Sequence, residues 1–392
     1  MKIYLDNNTL TPVDKQVFEA MEPLLKEPYG DLHSSHLFGA KTRKLYNEAV
    51  EKIYAFLHSK DSDTITFTSG ASEANSTLFM SIYFDFILSG RKNSIIISER
   101  EPLSILQLAD FLESQGCKVH RLPITKEGVV DPESLYDYIT PRTALVSVTM
   151  VDPESGAINP IEEIGQICKK YDVPLHSDAT FAVGKIAIDV QELKIDYISF
   201  SSKLLHAPAG TGVLWMKGGK EINPLIQGTR YPTQMFRGGS LNLSGIVALG
   251  KAVEIASDAL DFEMEDVREL RDSLEEELTK IDGVKSLISW SLRVPNTLLL
   301  TVKGVEAESL LYHLNRDGIA GFSHAINPCG EWERQNLIDA LELEPTLKRC
   351  VVGFALSRAN TEEEIEKTVS SFKEVVEFLR ENSPIKLGEE NE

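Results

Sequence analysis

Short β-rich runs alternate with helical patterns from about Asp63 to Met216, and this alternation limits the architecture more than any other feature of the chain. The strand-like runs cover 64–67, 94–97, 144–148, 173–176, 195–198 and 212–215, with helical patterns such as 102–115 and 161–170 between them. Parallel strands need long crossovers, which helices supply, so the rhythm predicts a mostly parallel sheet with helices on both faces. A chain of 392 residues is long enough for such an α/β domain with a second lobe attached.

Ahead of the alternating region, Leu45, Ala49, Ile53 and Leu57 recur at helical spacing, while 6–12 reads as an irregular arm. After about Lys251 the pattern changes to a long charged helix over about 261–280, a strand-like run over 296–302 and a last helix. That helix opens with the capping box Thr361-x-x-Glu364 and carries one apolar stripe of Ile365, Val369, Phe372, Val376 and Leu379. The expected division is an N-terminal arm over 1–15 packing with the small domain, a large α/β domain over 16–254, a small α+β domain over 255–382, and a frayed polar tail over 383–392. No internal repeat is visible.

Charge narrows the partners. The balance of 40 basic against 60 acidic residues gives a net charge of −20, which opposes sequence-independent attraction to nucleic acid or an anionic membrane. The cysteines Cys117, Cys168, Cys329 and Cys350 are scattered, with neither a Cys-x-x-Cys pair nor zinc-type spacing. No metal site is therefore expected, and a reducing compartment, the cytoplasm, is the expected location. Neither a secretion signal nor a membrane span is read.

Three segments could carry chemistry. Thr68-Ser69-Gly70-Ala71-Ser72-Glu73-Ala74-Asn75 follows a strand and opens a helix, so its N–H groups and hydroxyls suit either a phosphate or an ordinary strand-to-helix turn. Asp178 follows a strand end, where ligand sites of open α/β sheets gather but where capping aspartates are also common. Downstream come the run from Ser199 to Gly212 and Arg237-Gly238-Gly239-Ser240-Leu241-Asn242.

With these segments in order, the chain resembles the cysteine desulfurases of the class V aminotransferase family, pyridoxal-phosphate enzymes of fold type I. The resemblance runs from Tyr4-Leu5-Asp6-Asn7-Asn8 through the Thr68–Asn75 turn, Gly156 and Pro160, Asp178-Ala179, Gly184-Lys185, Ser201, Pro208 and Arg237 to Ser357-Arg358. It implies a large cofactor domain, a smaller C-terminal lobe and a dimer. It also implies that Asp178 pairs with the pyridinium nitrogen, that Gly70, Ala71, Ser72 and Ser201 hold the cofactor phosphate, and that Ser240 and Arg237 approach from the neighbouring subunit.

The same resemblance exposes departures at the reactive positions. Against the family's Ser-x-His-Lys pattern, Lys203 stands at the histidine and Leu204 at the cofactor lysine, and leucine cannot form a Schiff base. Pro102 falls at the ring-stacking histidine, Pro153 and Phe181 at the groups near the phenolic oxygen, Gly353 at the arginine for the substrate carboxylate, and Ala209 at a turn lysine. The persulfide cysteine is expected near Asn327, with Cys329 either a displaced nucleophile or a free loop thiol, and His324 its one evident basic neighbour.

Two readings of different class follow, beside a third in which the residual site holds pyridoxal phosphate non-covalently, or another phosphorylated metabolite, without chemistry. One is a degenerate member that binds pyridoxal phosphate non-covalently or not at all, and serves as a binding or regulatory subunit in sulfur or iron–sulfur metabolism. It would act as a homodimer, or as a heterodimer with an active relative, beside a sulfur acceptor or scaffold protein. The other is an active desulfurase or lyase using Lys203 and Cys329. His176 reads as a packing residue or one supporting Asp178, and the acidic helix face as solvated.

Overall fold

The computed structural model describes residues 2–27, 29–230, 234–288, 292–323 and 336–382. Its strands are β1 (Ile3–Tyr4), β2 (Thr64–Thr68), β3 (Ser94–Ser98), β4 (Lys118–Leu122), β5 (Thr143–Ser147), β6 (Leu175–Asp178), β7 (Tyr197–Ser201), β8 (Gly212–Met216), β9 (Val284–Ser286), β10 (Thr297–Val302), β11 (Ile319–Ala320), β12 (Phe322–Ser323) and β13 (Val351–Ala355). The α-helices are α1 (Lys15–Met21), α2 (Leu37–Phe56), α3 (Ala71–Ile82), α4 (Leu103–Ser114), α5 (Ile161–Lys170), α6 (Leu243–Thr279), α7 (Ala307–Arg316), α8 (Asn336–Ala340) and α9 (Glu362–Asn382).

The central sheet has seven strands in the order β2-β8-β7-β6-β5-β3-β4, and only β8 runs antiparallel to its neighbours. Strands β3, β5, β7 and β8 are buried along their whole length, as expected for strands covered on both faces. One apolar cluster includes Ile53, Leu57, Phe200, Trp215 and Leu249; another, on α3 and α4, includes Leu78, Phe79, Ile105 and Leu112. The α/β architecture expected from the alternation is the one present.

Three details differ from the periodicity. Strand β6 begins at Leu175, because Pro174 has no N–H to give and contributes only its carbonyl, which accepts from Val146 N at 3.0 Å. The edge strand β4 escapes notice because its outer position tolerates Lys118, His120 and Arg121. Helix α6 begins at Leu243, where the Asn242 side chain accepts from Gly245 N at 3.2 Å, and not near 261. Most of its charge lies in the later half, whereas Ile246, Leu249 and Val253 bury its first turns.

A second sheet, β12-β13-β10-β9, packs with α7 and α9 around Leu298, Leu300, Leu314, Phe354 and Phe372. The Thr361–Glu364 capping box is formed, with Thr361 N donating to Glu364 Oε2 at 3.3 Å and Glu364 N to Thr361 Oγ1 at 3.4 Å. The N-terminal arm joins this lobe through β1, which pairs parallel with β11. Helix α6 passes unbroken through 254, with Val253 in the first core and Val267, Leu274 and Leu278 in that of the second sheet. The parallel strands β2, β6 and β7 end at Thr68, Asp178 and Ser201, so their C-terminal ends share one edge of the sheet.

Candidate functional site

The turn after β2 brings two glycines, a hydroxyl and the start of α3 together. Gly70 has φ +157°, a conformation that is essentially glycine's, and a Cβ on Gly212 would lie 2.5 Å from the Gly70 backbone, so both positions require glycine. A Cβ on Gly70 would lie 3.9 Å from Ser201 Oγ, which places that hydroxyl facing the turn. Ala71 opens α3, whose first N–H groups lack helical partners. Exposed Ser72 lines a neighbouring cavity of about 460 Å³ with Ser76, Ser104 and Gln107. Glu73 fixes the turn, accepting from Ser69 N at 2.8 Å and from Arg237 Nε at 3.0 Å. Burial tends to raise the Glu73 pKa, but these hydrogen bonds outweigh it and hold the carboxyl below its ordinary value. Arg237 thus has a partner within its own chain; Ser240 lies exposed, its carbonyl 3.4 Å from Arg237 Nη1.

At the end of β6, Asp178 is 1% exposed and heads a line of buried polar groups that sequence reading does not assemble. Asp178 Oδ1 accepts from Thr180 N at 2.9 Å, and Oδ2 from Asn75 Nδ2 at 2.8 Å. Asn75 Oδ1 lies 2.5 Å from Ser199 Oγ, Ser199 Oγ 3.0 Å from His176 Nε2, and His176 Nδ1 2.9 Å from Ser147 Oγ. An ionised Asp178 fixes every donor. Asn75 turns its NH₂ to the carboxylate, Ser199 gives its one proton to Asn75, and His176 must then carry its proton on Nε2. All the donors point towards Asp178, so each bond strengthens the next and favours the carboxylate form. Burial raises the Asp178 pKa, opposed by the bonds from Thr180 and Asn75 and by the Lys203 charge. Burial alone pushes His176 down to about 3, so it stays neutral. The available signal was polar residues, Ser147, His176 and Ser199, inside fully buried strands.

Beside this line, Glu101 is buried with Oε1 accepting from Thr149 N at 2.8 Å, while Oε2 has no partner among the described residues. Burial, with a smaller contribution from Asp178, pushes its pKa up to about 8. Arg100 is held by Asp152 at 2.8 Å and Glu154 at 3.0 Å in a buried ion cluster.

The reactive positions are packed differently. Leu204 is 4% exposed and, with Leu205 and Gly184, lines a cavity of about 40 Å³ beneath the N-terminal arm. Thr11 clamps the Lys203 carbonyl through its N–H at 3.1 Å and its hydroxyl at 2.9 Å. The Lys203 ammonium is half-buried; burial lowers its pKa, and the charges of Asp178 and Asp6 oppose the shift. Pro102 caps α4, Ala209 is exposed, and Phe181 lies 5.8 Å from Lys185 Nζ. Lys185 itself is buried, donates to Asn8 Oδ1 at 2.9 Å, and is pushed down to about 7 by burial. Gly353 sits opposite Phe322 in the β12–β13 pair, and a Cβ there would lie 2.2 Å from the Phe322 ring. An arginine side chain at 353 has no room while that ring is in place. Cys329, His324 and Asn327 lie outside the described residues. Among the described residues, no group of three or more His, Cys, Asp or Glu is placed to hold a metal ion.

Known proteins match nearly the whole chain in sequence and fold. The family described as Aminotransferase class-V matches residues 3–368, and the chain belongs to it. Within that class it belongs with the cysteine desulfurases, a pyridoxal-phosphate-dependent family. A Dictyoglomus turgidum protein named cysteine desulfurase IscS is 36% identical over 386 residues, covering 98% of this chain and 97% of its own. An Azotobacter vinelandii protein named cysteine desulfurase NifS is 32% identical, covering 98% and 95%. A solved NifS-like protein superposes with a TM-score of 0.89 at 30% identity, over 96% of this chain and 100% of its own.

Proposed function

We propose that this chain is a degenerate cysteine-desulfurase-family protein that lacks normal desulfurase turnover and serves as a binding or regulatory subunit in sulfur or iron–sulfur metabolism. The observation that carries the reading is the Phe322 ring against Gly353. At a position where the resemblance expects a substrate-binding cation, the space is filled by packing, as Leu204 also fills space at the cofactor-lysine position.

The residues present fit part of the family's cofactor. Gly70, Ala71, Ser72 and Ser201 can hold its phosphate, and the buried, hydrogen-bonded Asp178 can meet its ring nitrogen; the resemblance implies that Ser240 joins the site from a second subunit. The ring-stacking, phenolate-binding and covalent anchoring groups do not fit. When bound in an active relative, pyridoxal phosphate supplies an electron sink for amino-acid chemistry; no step through it is derived for this chain. The proposed partners are a second copy or an active relative, with a sulfur acceptor or scaffold protein, in the cytoplasm. No helix among the described residues is long and apolar enough to cross a membrane.

One observation favours a second reading, in which the enzyme is active through Lys203. Its amine is half-buried, lowered in pKa and within electrostatic range of Asp178, as a relocated anchoring amine would need to be. Cysteine turnover separates the two. Saturated with pyridoxal phosphate and given cysteine and a thiol reductant, the protein is expected to release no sulfide or alanine above the free-cofactor background. Stoichiometric or faster release that disappears in Lys203→Ala would establish the second reading.

A further inference from the structure

At the end of the central sheet away from Asp178, a cavity of about 360 Å³ is walled by Lys60, Lys169, Lys194, Lys217 and Lys220. Pro174 and Asp196 precede β6 and β7, and Lys217 follows the antiparallel β8, which fixes the cavity at the N-terminal ends of the parallel strands. The whole chain carries a net charge of −20, so the meeting of these ammonium groups runs against its composition.

The internal compensation is incomplete. Asp172 and Asp196 are the carboxylates of the wall. Lys220 pairs with Asp196 at 3.1 Å, and Lys194 reaches Glu162 at 3.8 Å. Lys60, Lys169 and Lys217 have no ion-pair partner among the described residues. Trp215, wholly buried, forms part of the wall, and its indole N–H has no acceptor among the described residues. Like charges around one concavity repel, and a concave wall of one sign concentrates counter-ions of the other.

We propose that this cavity binds a compact anion bearing two or more phosphate groups, at a site separate from the Gly70 turn. Lysine suits this task because each ammonium offers three rotatable donors to phosphate oxygens. The three ammonium groups without an ion-pair partner carry about three positive charges, whereas one phosphate group carries about −1.5 to −2 at neutral pH, so an anion with two phosphates matches them better in charge.

The test is titration of the full chain with inorganic pyrophosphate, followed by calorimetry and tryptophan fluorescence. Pyrophosphate is expected to bind more tightly than inorganic phosphate, to weaken as salt is raised, and to be unaffected by prior loading with pyridoxal phosphate. The Lys169→Gln/Lys217→Gln double variant is expected to weaken binding about tenfold or more. Lys169→Arg/Lys217→Arg is expected to retain it. Absence of pyrophosphate binding, phosphate binding just as well, competition by pyridoxal phosphate, or undiminished affinity in a folded glutamine variant would each overturn the proposal. If the glutamine variant does not fold, the wild-type salt series, the phosphate comparison and the pyridoxal-phosphate competition decide it.

Discussion

Replacing Glu101 by glutamine should change how stability depends on pH in a direction fixed by its surroundings. Its folded-state pKa, about 8, stands above the ordinary 4.5 because the carboxyl is buried, with Asp178 adding to the effect. Between those values the unfolded chain has released the proton and the folded chain has kept it. Stability contributed by Glu101 is therefore complete below about pH 4.5 and is lost as pH rises towards 8. The slope approaches about 1.4 kcal/mol per pH unit, so the loss between pH 5 and pH 8 is about 3–4 kcal/mol. His176 and Lys185 act in the opposite sense, but they remain in both proteins and cancel in the comparison. Urea unfolding of both proteins across this range is expected to show Glu101→Gln gaining on the wild type as pH rises. Any constant offset from the new amide leaves that slope unchanged. Parallel pH profiles would refute the argument, since they would mean that Glu101 ionises alike in both states.

Further outcomes follow from other sites. Gly353→Arg should cost about 2 kcal/mol or more in urea unfolding through collision with Phe322, and adding Phe322→Ala should recover much of it; an undamaged single variant would contradict the packing. Nitrogen NMR of the imidazoles should show His176 as the Nε2–H tautomer, not titrating above pH 4–5, given its pKa of about 3; the Nδ1–H form would break the donor order leading to Asp178. Cys117 is pushed up to about 11 and Cys168 to about 12 by burial, and Cys350 is also raised and buried, so the folded Cys329→Ser variant should react slowly with a disulfide reagent at neutral pH. A fast-reacting thiol in that variant would show one of these cysteines to be open.

The sequence carries the fold where local pattern and burial agree. Strands β3 and β8 are short apolar runs bounded by turn residues, and α5 is amphipathic throughout, so each could be read from its own residues. Edge strand β4 could not, because its polar side chains need only a partner on one side. The turn at Gly70 and the strand end at Asp178 were legible as positions. What surrounds them was not: Asn75, Ser147, His176 and Ser199 come from four separate elements and meet only when the sheet forms. The same holds for Gly353, where the substitution is visible in sequence but the Phe322 ring that fills its place arrives through the pairing of two strands. The lysines around Trp215 likewise belong to loops and helix ends dispersed from Lys60 to Lys220.

With Leu204 at the cofactor-lysine position the chain has lost the family's covalent anchor, and the decisive experiment is borohydride reduction of the protein incubated with pyridoxal phosphate, followed by peptide mapping beside Lys203→Ala. The expected result is no site-specific adduct on Lys203, and the same adduct pattern at the remaining lysines in both proteins. A stoichiometric adduct on Lys203 that is absent from the variant would contradict it.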